Sequence, residues 1–398
     1  MKRGTLILLA HLLAVSCLRT AMPASAKEKG GWKSYGLGEQ AMACTFMPHS
    51  RSVAVLLYGA VRDTDQEFVR VYTTHLAAWD FKAGQVEVKR KWDYTVDIRQ
   101  DGLQFQPNYM NYTADGRHLV FFGWGAIQVL DAETWAEVRT IAFEEPEGLG
   151  VVTYVAPGFS VTLDGSRAAV AFSSSRGDGG AVRVYDLRSG EIVREWRLGG
   201  EVRHLAGVAI SPGGERVAVS TLPAAWASSP EAFIPPGMDN VRVMDVSSGE
   251  TLFGMNTKYF AGPVLFGPGD TLLTASINVN RKFYSSDTVK VWDARTGKLR
   301  REIANPGDGV RYRLDLSADG KLLLGFTGIV KPDGHFIVFD SHQFKIWDFE
   351  TGREVVASPK LPGREGEAAQ LQLSPDEGFV VAWWNGFANP VVYEIPRD

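Results

Sequence analysis

The sequence predicts an all-β chain folded as a single seven-bladed β-propeller of four-stranded antiparallel blades, and three observations carry that expectation. Six segments repeat one strand-and-turn pattern, a second hairpin pattern alternates with it, and the last copy is one strand short. A tandem array of four-stranded sheets must close radially, because an open array leaves apolar faces and unpaired strand edges in water.

The first pattern is an alternating apolar strand that ends in aspartate, followed by a small turn and usually a glycine. Its copies are HLAAWDFKAG (75 to 84), IQVLDAETW (127 to 135), VRVYDLRSG (182 to 190), VRVMDVSSG (241 to 249), VKVWDARTG (289 to 297) and FKIWDFETG (344 to 352). Their aspartates, Asp80, Asp131, Asp186, Asp245, Asp293 and Asp348, stand 51, 55, 59, 48 and 55 residues apart, room for four short strands each. A carboxylate at a strand end can bond the turn amides, and glycine accepts the positive φ of a tight hairpin. The second pattern pairs two apolar strands around a turn: YTADGRHLVFF (112 to 122), VTLDGSRAAVAF (161 to 172), ISPGGERVAVS (210 to 220), LSADGKLLLGF (316 to 326) and LSPDEGFVVAW (373 to 383). These read as the inner hairpins.

One inner and one outer hairpin make a blade. Six copies are followed by LSPDEGFVVAW and PVVYEI (390 to 395), three strands only, so residues 31 to 40 are expected to supply the fourth and latch the first blade to the seventh.

The dipeptides Trp79-Asp80, Trp292-Asp293 and Trp347-Asp348, with the SPDG-like turns, resemble the WD-repeat family over roughly residues 40 to 398. Two features depart from it: no Gly-His dipeptide precedes the inner strands, and the repeats exceed the usual 40 to 45 residues or so. The chain is more similar to the divergent WD-like propellers of exported bacterial proteins than to eukaryotic scaffold propellers.

The chain starts differently. Lys2 and Arg3 precede an apolar run from Leu6 to Leu18, and Ala24-Ser25-Ala26 is a small-x-small cleavage pattern, so residues 1 to 26 read as a signal peptide and 27 to 398 as the exported propeller. The run is shorter than a membrane span and broken by His11, and no later segment is a better candidate. Export leads to the periplasm or the exterior. A second reading takes Ala14-Val15-Ser16-Cys17 as a lipidation site that tethers the protein at Cys17. Cleavage at Ala26 leaves Cys44 as the single thiol, in the apolar stretch AMACTF, where a buried core role is expected.

Composition is ordinary for a folded chain of 398 residues, with 45% hydrophobic and 22% charged residues. The net charge is −4; removing Lys2, Arg3 and Arg19 leaves 39 basic against 46 acidic residues, a net −7. That field repels phosphate backbones, and no basic stripe offsets it, so no nucleic-acid partner is expected.

If each blade runs from inner to outer strand, the DG and TG hairpins share one face, and the connections between second and third strands share the other with the crossings between blades. The long insertions fall on that other face, which makes it the functional candidate. Thr221 to Asn240 carries Trp226 and Phe233; 277 to 287 carries Arg281, Phe283 and Tyr284; 327 to 343 carries His335 and Phe336 and is also readable as an extra hairpin. Trp384 stands near a further turn as the exposed member of Trp383-Trp384, the other being core. Exposed aromatics anchor partners, although they equally well tuck a loop against its own blade.

No chemistry-bearing motif stands out. His49, His75, His118, His204, His335 and His342 lack ligand spacing, there is no HExxH, phosphate-cradling loop or nucleophile elbow, and no metal or cofactor is expected. Asp63-Thr64-Asp65 lacks the further oxygens of a calcium loop, and Arg176-Gly177-Asp178 reads as a flexible turn. Inner-strand ends offer Tyr154, Arg203, His204, Arg311, Arg313 and Glu367 as a possible channel-mouth cluster. Since seven-bladed lactonases and some dehydrogenase subunits use such mouths, the resemblance leaves a small-molecule enzyme as the alternative to the favoured reading, a non-catalytic platform that binds a protein or peptide.

Overall fold

A computed structural model describes residues 26–29, 32–48, 50–64, 69–97, 109–123, 125–144, 146, 149, 152–153, 159–174, 179–199, 202–223, 234, 236–279, 284–303, 310–333, 336–359, 361–362, 369–384 and 389–396. The chain opens with β1 (Ala26–Lys29) and β2 (Trp32–Gly36). Blade 1 is β3 (Ala41–Phe46), β4 (Ser52–Asp63), β5 (Val69–Asp80) and β6 (Gln85–Asp97); blade 2 is β7 (Tyr109–Tyr112), β8 (His118–Gly123), β9 (Ala126–Asp131) and β10 (Glu137–Ala142). In blade 3, β11 (Val152–Thr153) and β12 (Phe159–Val161) both pair β13 (Arg167–Ser174), followed by β14 (Gly179–Asp186) and β15 (Ile192–Gly199). Blade 4 is β16 (Val202–Ile210), β17 (Arg216–Pro223), β18 (Val241–Asp245) and β19 (Thr251–Met255); blade 5 is β20 (Phe260–Gly267), β21 (Thr271–Val279), β22 (Tyr284–Asp293) and β23 (Leu299–Ile303). Blade 6 is β24 (Val310–Leu316), β25 (Leu322–Asp333), β26 (Phe336–Asp348) and β27 (Glu354–Ala357), with β28 (Leu361–Pro362) beside β26. Blade 7 is β29 (Ala369–Leu373), β30 (Phe379–Trp384) and β31 (Val391–Glu394). All pairings are antiparallel, and the first strand of each blade packs nearest the axis.

The repeated aspartates do the local work that their position demands. Asp80, Asp131, Asp186 and Asp293 each accept two turn amides, as Asp131 does from Glu133 N at 3.2 Å and Thr134 N at 2.7 Å; Asp245 and Asp348 each accept one amide and one hydroxyl. The inner turns use Ser or Thr in the same way: Ser317 Oγ donates to Asp319 and accepts Leu322 N at 2.9 Å. Blades 1 and 5 turn differently, which is why their inner hairpins escape the second sequence pattern: blade 5 uses Pro268-Gly269-Asp270, with positive φ at Gly269 and Asp270.

Both faces of each sheet are buried. Along β4, Val53, Val55 and Leu57 pack toward blade 7 while Ala54 and Leu56 pack toward blade 2. The same alternation around the ring gives one apolar cluster between each neighbouring pair of blades, and Cys44 is wholly buried in the cluster between blades 7 and 1. Burial pushes its thiol well above the usual range. Every wedge is shared between two blades, so none is complete alone.

Outer strands also reach across. Arg90, Arg139, Arg194 and Arg301 each donate to a carbonyl in the next blade's outer turn, at 3.3, 3.0, 3.0 and 2.7 Å. In the equivalent place Phe253 covers Gly297, where a Cβ would stand 2.6 Å from its ring. At the boundary between blades 7 and 1 the contact comes from the other end of the chain. β2 pairs β31, with Lys33 opposite Glu394 and Gly36 opposite Val391, and Tyr35 stacks 5.4 Å from Phe81 of blade 1 while its hydroxyl donates to Glu394 at 2.9 Å. β1 then pairs β2 as a fifth strand.

Two of the expected insertions are strand. β21 and β22 remain paired out to Val279 opposite Tyr284, and β25 and β26 out to Asp333 opposite Phe336, because both segments carry β-branched and aromatic residues that extend the ladder. Segment 327 to 343 is therefore the extra hairpin. Blade 1 has a third extension, β4 to β6, ending at Asp63 opposite Arg70 and Val69 opposite Asp97.

Two outcomes test this account. Trp292 Nε1 donates to Thr274 Oγ1 at 2.9 Å, whereas Val55, the matching residue two positions past the strand partner of Trp79, leaves the buried Trp79 Nε1 without an acceptor. Thr274→Val is expected to lower stability by about 1–2 kcal/mol in denaturant unfolding, the cost of orphaning an indole N–H. Removing residues 27 to 36 strips β31 of its neighbour and should lower the melting temperature by roughly 5 °C or more; an unchanged melting curve would count against closure through β2.

Candidate functional site

Connections alternate between the two ends of the ring. The capped turns of the inner and outer hairpins occupy one face, and the strand extensions of blades 1, 5 and 6 rise on the other. That second face also receives the crossings from outer strand to next inner strand.

The residues singled out by sequence distribute unevenly there. Trp226, Phe233 and Arg281 lie outside the described residues, as do Tyr154, Glu367, His335 and the Arg176-Gly177-Asp178 tripeptide. Tyr284 and Phe336 are the first residues of β22 and β26, at the far ends of their hairpins, so they are strand residues and not loop residues. Trp384 closes β30 opposite Ala369, and Trp383 is buried at 3% exposure. Arg203 lies at a register shift in β16, and Arg311 and Arg313 flank another in β24. His204 follows Arg203 in β16 and is half-buried. These strands belong to blades 4 and 6, which are not adjacent.

Around the axis the structure assembles a belt that the sequence reading did not pick out. Each innermost strand pairs on one side only, so its other backbone edge needs acceptors. The residue two places before the turn Ser or Thr provides them across the blade boundary. Ser160 Oγ accepts Ile210 N at 3.1 Å, Asp315 Oδ2 accepts Leu373 N at 3.0 Å, and Gln372 Oε1 accepts Phe46 N at 2.8 Å and the Thr45 hydroxyl at 2.9 Å. Gln372 Nε2 donates to Asn111 Oδ1 at 3.1 Å, which joins blades 7, 1 and 2 at the seam. In blades 4 and 5 the same position holds Ala209 and Leu265, and the belt is interrupted. The signal was present as Asn-Tyr-Thr, Ser-Val-Thr, Asp-Leu-Ser and Gln-Leu-Ser, but nothing local says that this position faces a neighbouring blade.

Asp315 is the one carboxylate of this belt. It is half-buried yet lies deep among protein atoms, and desolvation raises it to about 6 despite the amides of Leu373 and Leu316. Elsewhere carboxylates move down: Asp245, exposed, is held at about 2 by the Ser247 hydroxyl and the Ser248 amide. No group of three or more His, Cys, Asp or Glu among the described residues is placed to hold a metal ion, and no described helix is long and apolar enough to cross a membrane.

No family model matches the sequence, and no curated protein matches it either. Solved structures do. A chain of the crystal structure of the mitotic checkpoint complex superposes with a TM-score of 0.52 at 16% identity, over 87% of this chain and 84% of that one. A chain of hydrazine synthase from Kuenenia stuttgartiensis gives 0.49 at 17% identity, over 69% and 73%. At such identities the first likeness concerns the propeller fold, and a propeller suits protein interaction without specifying it.

The raised pKa of Asp315 has a consequence for stability. The folded state holds this proton more tightly than the unfolded chain, so the contribution of Asp315 is neutral below about pH 4 and becomes destabilising as pH rises to about 6. Asp315→Asn keeps an acceptor for Leu373 N and removes the charge. Its melting temperature should exceed the parent's by roughly 2 °C or more at about pH 7.5, with the gain vanishing toward about pH 4.

Proposed function

We propose that this is an exported, WD-repeat-like propeller that acts as a non-catalytic platform, holding a protein or peptide on the face that bears the strand extensions. The observation that carries the reading is the asymmetry of the two faces. One is built of short turns whose amides are already taken by Asp, Ser and Thr, while the other projects three hairpins, from blades 5, 6 and 1, beyond the ring. Extended hairpins offer backbone edges and side chains on a rigid base, which suits macromolecular recognition. Localisation outside the cytoplasm rests on the leader-like residues 1 to 26, and lipid tethering at Cys17 is the variant of the same reading.

The competing reading, an enzyme at the channel mouth, has one observation on its side. Asp315 sits on the same innermost strand as Arg311 and Arg313, so an acid held near about 6 shares β24 with two basic residues. Its carboxylate is engaged with a backbone amide of the next blade, which favours a structural role.

The test is affinity capture from cell-envelope extract with the parent protein beside a Trp226→Ala, Tyr284→Ala double variant of equal melting temperature. One partner enriched by the parent and lost from the variant supports the platform and its face. Equal capture by both moves the site elsewhere, and turnover of a small metabolite that Arg311→Ala abolishes would favour the enzyme.

A further inference from the structure

The belt around the axis holds a charge that its structural task does not require. At the equivalent position in blades 3 and 7 a neutral oxygen does the same work, Ser160 Oγ for Ile210 N and Gln372 Oε1 for Phe46 N. Blade 6 uses the Asp315 carboxylate, whose Oδ2 accepts Leu373 N at 3.0 Å, and the Leu316 amide bonds the same group. A carboxylate offers about four acceptor sites, so two amides leave it half used. A carboxylate set this deep is destabilising unless a cation pairs with it. Among the described residues no Lys, Arg or His does so.

The strands packed against Asp315 are neutral there. β20, β21 and β29 carry no titratable residue. Across the strand pair Asp315 stands opposite Leu324, while Lys331 and Asp333 of β25 lie far along the hairpin extension. Lys290 of β22 donates to the Thr257 carbonyl at 2.9 Å, toward blade 4. The two belt positions before Asp315 round the ring are Ala209 and Leu265, both apolar. Asn111, Ser160, Leu265, Asp315 and Gln372 belong to five different innermost strands and each is half-buried, so solvent reaches this level of the ring from the axis.

Asp315 stands two residues before Ser317 of its capped turn, so the nearer opening is on the capped face. The inner turns of blades 2 to 7 carry exposed carboxylates on that face, Asp115, Asp164, Glu215, Asp270, Asp319 and Asp376. Lys and Arg neighbours share several of them, but the chain as a whole is negative, at −4, and such a field draws cations toward the opening.

We propose that the belt at Asp315 binds an organic monocation from the capped face: a primary ammonium on a short apolar stem, with the ammonium on the carboxylate and the stem on the side of Ala209 and Leu265. One charge beside an apolar arc lacks the several oxygens that calcium or magnesium demands. With Oδ2 already holding Leu373 N, the fork of a guanidinium finds no open pair of oxygens, and the compact ammonium is the better match. The site lies on the opposite face from the strand extensions, so the inference goes beyond the platform reading and does not depend on it.

The probe is n-butylammonium chloride, added to the full chain, purified as the cell processes it, at about pH 7.5, where the carboxylate is ionised. The NMR signal of the Leu373 amide is the reporter, because that amide rests on the same carboxylate. It should shift saturably with a Kd of about 1–10 mM, while n-butanol and sodium chloride at equal concentration leave it in place. Affinity should fall about ten-fold at about pH 5, since protonation near about 6 removes the charge that the ammonium needs. Asp315→Asn keeps an acceptor for Leu373 N and should weaken binding at least about ten-fold, and Leu265→Ser should weaken butylammonium more than methylammonium. A glycine-flanked lysine peptide is the second probe: tighter binding than butylammonium assigns the cation to the lysine of a partner, and weaker binding assigns it to a free amine. No saturable shift, an equal shift with n-butanol, binding that survives Asp315→Asn, or an affinity unchanged at the lower pH would each overturn the proposal.

Discussion

Each apolar wedge in this molecule lies between two blades, and the seventh blade has a fourth strand only because β2 leaves the start of the chain to pair with β31 near its end. Trp32 of β2 belongs to the cluster between blades 6 and 7, and Tyr35 lies over Phe81 of blade 1. Without that ladder β31 is an exposed edge and Phe81 loses its cover. At the six other boundaries apolar strands interleave through local residues, belt side chains meet near the axis wherever the belt is continuous, and residues such as Arg139 and Arg194 bind the next turn at the rim.

This closure explains why the two faces are unlike. The capped hairpin turns can hardly vary, because their Asp, Ser, Thr and Gly residues satisfy a fixed set of amides and positive φ values. Strands that run past the ring toward the other face are free of that constraint and can lengthen without disturbing the wedges. Blades 1, 5 and 6 have done so, and function is read from that freedom.

Near the axis, the polar belt supplies acceptors to backbone edges that have no strand to pair with. Its uneven composition matters physically. Gln372 reaches both neighbours and knits the seam between the ends of the chain, while Asp315 pays in desolvation for the amide it holds. A neutral side chain there would satisfy the same amide more cheaply, which makes Asp315 the least comfortable residue of the belt at neutral pH.

The sequence by itself determined the blade and how many there are. Asp131 followed by a small turn, or Ser317-Ala318-Asp319-Gly320, encodes its own hairpin because the bonds it needs lie within five residues. Two hairpins per repeat then fix a four-stranded sheet. Local pattern could not show that 277 to 287 and 327 to 343 continue as ladder, since a polar turn between apolar stretches looks the same in a loop and in a hairpin tip. Nor could it show that Asn111 and Gln372 meet, or that Arg194 reaches the turn after Asp245, because those partners are about fifty to three hundred residues away and their approach depends on the ring being shut. Only the tertiary structure decided these contacts, since each is made between blades and a blade's sequence specifies its own hydrogen bonds but not which neighbour will receive its side chains.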